Sequence, residues 1–260
     1  ALALLLRHNC IPAPYSIYKN IYKLLPGHIL RVPIVSNTVV GNIYSRPYWQ
    51  LNDVVEEGLR DPFVGSEVEA ADALESQLME SIEAQLISDV PLGALLSGGV
   101  DSSTVVALMQ AQSSQRVKTY TIGLREGDYN EAAYAKAVAN HLGTEHTDLF
   151  IRPDDALAVI PRLPSMYCEP FGDSSQIPTF LVSQLARQHV AVALSGDAGD
   201  ELFGGYNRYL AARKVWSRMQ SLPPLARRAA ASMLRVLPPA SWDTIYEAMT
   251  IFIPKRLQVV

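Results

Sequence analysis

The 260-residue chain is poor in cysteine, in charge and in long apolar runs, and each shortage excludes something. Two cysteines, Cys10 and Cys168, with no CxxC pair, make neither a disulfide framework nor a zinc cluster. A reducing cytoplasm is the expected setting, and both read as ordinary core or surface thiols. The apolar run at residues 1–6 is too short to cross a bilayer and lacks the charged region and cleavage site of a signal peptide. Charged residues make up 18% and the net charge is −4, which leaves no overall basic footprint for nucleic acid or an anionic membrane. Neither a GxxxxGK[ST] loop nor an HExxH helix occurs. What is present is 48% hydrophobic residues, with three Trp, twelve Tyr and six Phe, enough to bury a substantial core. A globular protein acting on small molecules is the starting expectation, and its length allows one large domain or two small ones.

The first fifty residues are rich in Tyr, Ile, Val, Pro and Gly, which predicts strands and turns: 29–35 has strand composition and Pro26-Gly27 marks a turn. This piece is too short to enclose a core alone. Residues 51–66, mixed and acidic, are expected to be a linker. From 67 to 88, Ala71, Leu74, Leu78, Ile82 and Leu86 recur at spacings of three and four, the pattern of an amphipathic helix. Strands are then expected at 92–96, 117–122, 145–151 and 190–194. Helices are expected at 102–112, 131–142 and 176–188, the second with Asn130 as N-cap and Gly143 as its stop. Strand and helix in alternation predict an α/β fold with a doubly wound, mostly parallel sheet. From Tyr206 onward the chain reads as helical, broken at Pro223-Pro224 and Pro238-Pro239. Residues 202–260 carry nine Lys and Arg against two acids, +7, while the rest is −11. Such a run attracts a polyphosphate or another domain, or simply solvates helix faces.

Two motifs carry the chemistry. Ser97-Gly98-Gly99-Val100-Asp101-Ser102-Ser103 follows a buried strand and opens a helix. Glycines bring backbone N–H groups against an anion, and the helix N-terminus adds unpaired donors. Ser97, Ser102 and Ser103 can add hydroxyls, and an acid inside a phosphate loop, Asp101, implies a bridging Mg²⁺. Without the Walker lysine, γ-phosphate transfer is disfavoured. The plain alternative is a Gly-Gly turn with a helix cap. The second motif, SGDAGDELFGGY from Ser195 to Tyr206, also follows an apolar strand; its Asp197, Asp200 and Glu201 are costly to hold together without a cation or a hydrogen-bond network. Its alternative is an acidic capping turn. His141 and His146 flank a helix stop at no metal-ligand spacing and read as structural.

The first heptad resembles the ATP-pyrophosphatase, or PP-loop, enzymes, whose SGGxDS signature residues 97–102 match without departure. The second motif is close to SGEGxDELFGGY, and the two together resemble the glutamine-hydrolysing asparagine synthetases. TIGL at 121–124, YNEAAYAKAVANHLGTEH at 129–146 and EPFGDSSQIPTFLVSQLAR at 169–187 are similar to that family's synthetase domain; IPAPYSIYKNIYKLLPGH from Ile11 is similar to the end of its glutaminase domain. The resemblance, covering residues 11 to 209, implies a β-rich end of an N-terminal-nucleophile glutaminase domain at 1–50. A PP-loop synthetase domain with a helical C-terminal part would fill 67–260, cut short at its end. Residues 97–103 would bind ATP pyrophosphate, so that Ser97, Gly98, Gly99, Val100, Asp101, Ser102 and Ser103 form the loop. Asp101 and Asp200 would hold Mg²⁺, and Leu95, Ile122, Ser195 and Gly196 would touch the nucleotide. Asp197 stands where the family often has Glu, a base for ammonia, while Asp173 and Ser174 would be substrate contacts or an Asx-type helix cap.

The implied reaction activates the aspartate side chain with ATP to an acyl-adenylate and pyrophosphate, followed by attack of ammonia drawn from glutamine. The glutaminase nucleophile, an N-terminal Cys, has no counterpart in Cys10 or Cys168, and the Met-less start and the IPKRLQVV ending read as two cut edges. Competing readings are a β-lactam-synthetase-like amide former, a tRNA-modifying PP-loop enzyme kept open by the basic tail, and a fragment that binds ATP without turnover. Expected partners are small molecules, with no nucleic acid and no membrane, and a homodimer as an open assembly.

Overall fold

The computed structural model describes residues 1–35, 38–39, 43–124, 131–236, 238 and 241–242. They fall into two compact units, Ala1–Asp197 and Ala198–Val260, each described here by itself. The first begins with helix α1 (Leu2–His8), strands β1 (His28–Arg31), β2 (Ile34–Val35), β3 (Thr38–Val39) and β4 (Tyr44–Pro47), then helices α2 (Leu51–Arg60) and α3 (Glu67–Leu86). It continues through β5 (Leu92–Leu95), α4 (Val100–Gln112), β6 (Lys118–Leu124), α5 (Glu131–Leu142), β7 (Glu145–Ile151), α6 (Pro153–Val159), α7 (Leu163–Met166), α8 (Gln176–Ala186) and β8 (Val192–Leu194). The second unit holds α9 (Gly199–Phe203), α10 (Asn207–Gln220) and α11 (Pro224–Val236).

The sheet that organises the first unit has the order β7-β6-β5-β8, with every pairing parallel. From β5 the chain steps outward through β6 to β7, then returns to place β8 on the other side of β5. The winding direction therefore reverses between β5 and β8, and open α/β sheets bind ligands at the crevice such a reversal leaves beyond the strand C-termini. The register pairs Leu95 with Tyr120 and Ala94 with Leu194.

Both faces of the sheet are covered, as a doubly wound fold requires. Ala94 and Leu96 point to one side and pack with Ile82 of α3, Val106 and Met109 of α4, and Ala135 and Ala139 of α5. Tyr120, one residue out of phase across the pleat from Thr119, packs instead on Leu185 and Ala186 of α8, and Ile122 lies against the Ile151–Leu181 cluster. Thr119 is buried on the α5 side, where its hydroxyl meets Thr144 Oγ1 at 3.0 Å and His146 Nδ1 at 2.9 Å. Full burial of a side chain such as Leu96 or Val106 contributes about 1.5–3 kcal/mol each, so this two-sided core holds the strand ends in place.

Around the sheet, local chemistry sets the element ends. Ser66 caps α3: Glu69 N–H donates to its hydroxyl and Ser66 N–H donates to the Glu69 carboxylate, a capping box. These hydrogen bonds, that from the Ser66 backbone first, hold the Glu69 carboxyl below its usual range. Gly143, at φ +72, ends α5 as its sequence predicts; the expected cap Asn130 lies outside the described residues. In the front segment Gly27 turns with φ +69 and its carbonyl accepts the N–H groups of Tyr48 and Trp49, closing the antiparallel β1–β4 pair. Both strands are largely exposed.

Several elements differ from the sequence reading. Residues 51–60, expected as linker, form the helix α2 with every residue exposed. Helices α1, α6, α7 and α9 are too short to show a helical period, although Pro153 at the start of α6 is the residue best placed there. The last sheet strand starts at Val192 rather than 190, because Val190 N–H is still bonded back to the Ala186 carbonyl at the end of α8. Pro224 opens α11, so the break read at Pro223-Pro224 is real; that at Pro238-Pro239 lies partly outside the described residues.

Burial pushes the His146 imidazole below its ordinary value; Asp148 opposes this and Lys136 adds to it, and Nε2 is buried with no partner among the described residues. The unfolded chain therefore takes up the proton at a higher pH than the folded one, so stability falls as pH drops below about 6.5. Urea midpoints measured from pH 7.5 to 5.5 should show this loss in the wild type, and His146→Asn should flatten it relative to wild type.

Candidate functional site

The loop between β5 and α4 is built largely from its own hydroxyls. Ser97 N–H donates to Ser102 Oγ at 3.2 Å, and the two hydroxyls lie 2.9 Å apart. Gly99 N–H donates to Ser97 Oγ, and Ser102 Oγ lies 3.3 Å from the Gly99 carbonyl it can donate to. Ser102 is buried, so its hydroxyl is a staple across the turn rather than a free donor. Gly98 sits at φ +83, in the region that favours glycine, and a Cβ there would fall 2.6–2.7 Å from the Tyr134 and Ala135 backbone of α5. Ser103 Oγ is buried with no partner among the described residues, an uncompensated hydroxyl worth about 1–3 kcal/mol if left unmet. Asp101 is half-buried in the first turn of α4, beside N–H groups that have no partner within the helix.

The second motif reaches this loop through its glycine. A Cβ on Gly196 would stand 2.6 Å from Ser102 N and 2.9 Å from Asp101 C and Ser102 Cα, so the chain leaving β8 lies backbone against backbone on the first turn of α4. Ser195, Gly196 and the loop 97–103 are thus brought together at the sheet's reversal point. Asp197 is exposed and turns back on its own strand end: Ser195 Oγ donates to Asp197 Oδ2 at 2.9 Å, and Asp197 N–H donates to Ser195 Oγ at 3.4 Å.

The remainder of the motif lies in the second unit. Ala198 caps α9 in the left-handed region, φ 75 and ψ −4, at the position where the related pattern has Gly. Gly204 ends α9 at φ +68, and a Cβ on Gly205 would overlap the Asp200 carboxylate, so the two glycines give that half-buried side chain its room. Tyr206 OH donates to Glu201 Oε1 at 2.8 Å, which commits Glu201 within the turn and raises the phenol above its usual range.

The other expected residues are placed as follows. Leu95 ends β5, half-buried beside Tyr120, and Ile122 stands farther along β6 toward the same strand ends. Asp173 accepts Ser175 N–H at 2.8 Å and Ser175 Oγ at 2.7 Å, an Asx turn that starts α8. Those bonds, the side-chain one first, hold its carboxyl below the usual carboxylate range. Ser174 is exposed beside it. The donor set fits Mg²⁺ arriving on phosphates: carboxylate and hydroxyl oxygens are its ligands, and it binds through one or two carboxylates plus substrate oxygens. Among the described residues no group of three or more His, Cys, Asp and Glu could cage a metal unaided. Sequence reasoning missed the left-handed Ala198, whose signal was the Gly of the related pattern, and the contact of Tyr134 with Gly98, which had no signal.

Fold and loops define an α/β protein with two glycine-bearing loops meeting at the reversal point of a parallel sheet. A sequence profile of the asparagine synthase family matches residues 73–249, and the chain belongs to that family. It is 38% identical over 210 residues to a putative glutamine-hydrolysing asparagine synthetase 2 of Methanocaldococcus jannaschii, covering 77% of this chain and 37% of the relative. With the glutamine-hydrolysing asparagine synthetase 1 of Bacillus subtilis it shares 32% over 199 residues, 76% of this chain and 29% of the relative. The chain therefore spans only 37% and 29% of these relatives' lengths. A solved NMN synthetase from Francisella tularensis is similar at TM-score 0.37 and 17% identity over 56% of this chain and 61% of that one.

Two outcomes follow from the loop geometry. Gly196→Ala should force the chain leaving β8 off the first turn of α4, read as faster hydrogen exchange at the Ser103 amide, which bonds the Gly99 carbonyl, with the far-UV spectrum unchanged. Ala198→Gly removes a left-handed alanine and should raise stability by about 1 kcal/mol in urea unfolding.

Proposed function

We propose that this chain carries the ATP-using half of asparagine synthesis: activation of the aspartate side chain to an acyl-adenylate with release of pyrophosphate, then attack by ammonia to give asparagine and AMP. The observation that carries the reading is the approach of Gly196 to the first turn of α4, which joins the two loops; family membership supports it. In this reading residues 97–103 bind the ATP phosphates through loop and helix N–H groups, and Leu95, Ile122, Ser195 and Gly196 line the nucleotide. Asp101 and Asp200 would hold Mg²⁺, which when bound neutralises charge on the leaving pyrophosphate. Asp197 is the proton acceptor for ammonia, and Asp173 and Ser174 touch the aspartate. Ammonia derives from glutamine, as the relatives' names say of them.

The reading keeps residues 1–50 as the end of a glutaminase domain, 51–66 as the connection and 67–260 as synthetase. A cytoplasmic setting is supported by two exposed free thiols, and a homodimer stays the open assembly for it. No helix among the described residues is long and apolar enough to cross a membrane.

Pyrophosphate release from Mg-ATP should require both aspartate and ammonium, and Asp101→Ala should lower it about 10³-fold while the thermal midpoint stays near wild type. Release that needs tRNA, or an Asp101→Ala rate equal to wild type, overturns the reading.

A further inference from the structure

A stretch with no helix or strand of its own, residues 167–175, joins α7 to α8 and carries Asp173 and Ser174. Its position is set from outside, by the front of the chain. Tyr18 OH donates to the Cys168 carbonyl at 2.8 Å, and Gly172 N–H donates to the Asn9 carbonyl at 2.6 Å. Between these two bonds the Glu169 side chain points into the front segment, with only 16% of its surface exposed. There it accepts Ile17 N–H at 3.1 Å on Oε2 and pairs through Oε1 with Lys23 Nζ. Lys23 also donates to the carbonyl of Ile11, a residue buried in the same contact region.

The cation is itself held in place. Lys23 N–H donates to the Pro14 carbonyl at 2.9 Å, and Ser16 Oγ donates to the Ile21 carbonyl at 2.8 Å, so residues 14–23 close into a loop. On its far side the stretch is tied to α8, where Gln176 Nε2 donates to the Phe171 and Asp173 carbonyls at 3.0 and 2.7 Å. Pinned at both ends, the backbone from 168 to 173 stands where the front loop and the α8 cap leave it. Glu169 is the one side chain of the stretch with charge-assisted bonds to the front loop, and such bonds are about twice as strong as neutral ones.

We propose that Lys23 and Glu169 form a positioning clasp by which the front segment fixes the acceptor-binding stretch. The clasp governs affinity for the acceptor carboxylate and leaves ATP binding unaffected. It rests on the reading above that Asp173 and Ser174 touch aspartate. Lys23→Met would leave the Glu169 carboxylate largely buried with its cation gone, and a half-pair is worse than no pair. Removing the stranded charge as well, in Lys23→Met/Glu169→Gln, should repair part of the damage, because Gln still accepts Ile17 N–H. A contact that merely adds stability would couple the two substitutions in the thermal midpoint and leave the KM for aspartate unchanged.

The test uses the full chain and steady-state pyrophosphate release, with hydrogen exchange at the Gly172 amide in parallel. Lys23→Met should raise KM for aspartate about tenfold with KM for ATP within about twofold of wild type, and Gly172 should exchange about tenfold faster. The double variant should return both to within about threefold of wild type. The clasp is overturned if aspartate and ATP KM rise together, if the two substitutions add, or if only the thermal midpoint moves. Should the wild type release no aspartate-dependent pyrophosphate, the functional reading fails on its own. Exchange at Gly172 then decides the clasp: acceleration in Lys23→Met and recovery in the double variant uphold it, and unchanged exchange overturns it.

Discussion

The architecture turns on a backbone contact that tolerates no side chain: Gly196 against the first turn of α4. That contact follows from strand register. Ala94 and Leu194 are partners in the parallel β5–β8 pair, so two residues farther on each strand leave Leu96 in the core and Gly196 beside the loop that starts at Ser97. A slip of one residue would exchange the faces of β8 and set Ser195 or Asp197 where only glycine fits. Two-sided burial makes the slip expensive, because Ala94, Leu96 and Leu194 all belong to one apolar cluster. Core packing and site geometry are thus the same constraint seen at two ends of a strand.

A loop gripped in this way needs little reorganisation. Gly98 is pressed on α5 from one side and Gly196 closes on α4 from the other, while Ser97 and Ser102 bond to each other and to the turn. Those hydroxyls are spent on shape, so an anion reaching the loop would meet main-chain N–H groups and the N-terminus of α4. Donors fixed by the fold before a charge arrives stabilise it without reorienting, which is how preorganised sites gain their advantage over water. Ser103 is different: its hydroxyl is buried with no partner among the described residues, whereas those of Ser102 and Thr104 are bonded.

Much of this was legible. Strands at 145–151 and helix 131–142 agree with the sequence to the residue, because β-branched and aromatic runs and a glycine stop mark them clearly. Both loops were visible as motifs, since glycine and acid gather at a strand-to-helix turn in each, although a plain capping turn uses the same residues. The short helices were not, and α2 was hidden because Leu51, Val54, Val55 and Leu59 repeat for barely two turns amid acidic residues and remain exposed. The bond between Lys23 and Glu169 had no local signature at all, being a contact between segments far apart in the chain. For Asp173 the sequence offered a substrate contact or a helix cap; an Asx turn onto Ser175, the N-cap of α8, is present, and a carboxylate that bonds Ser175 through one oxygen still has the other to offer.

The substitution of Asp for Glu in the second motif has a geometric meaning once Ser195 is considered. Asp197 is one methylene shorter than Glu, and its carboxylate folds back onto the hydroxyl two residues earlier. A glutamate at that place would carry its oxygens past Ser195, whereas aspartate keeps them tied to the end of β8. The Asp197 carboxylate is thereby held beside Ser195, next to the Gly196 contact with α4, so the requirement that fixes the fold also fixes where this carboxylate stands.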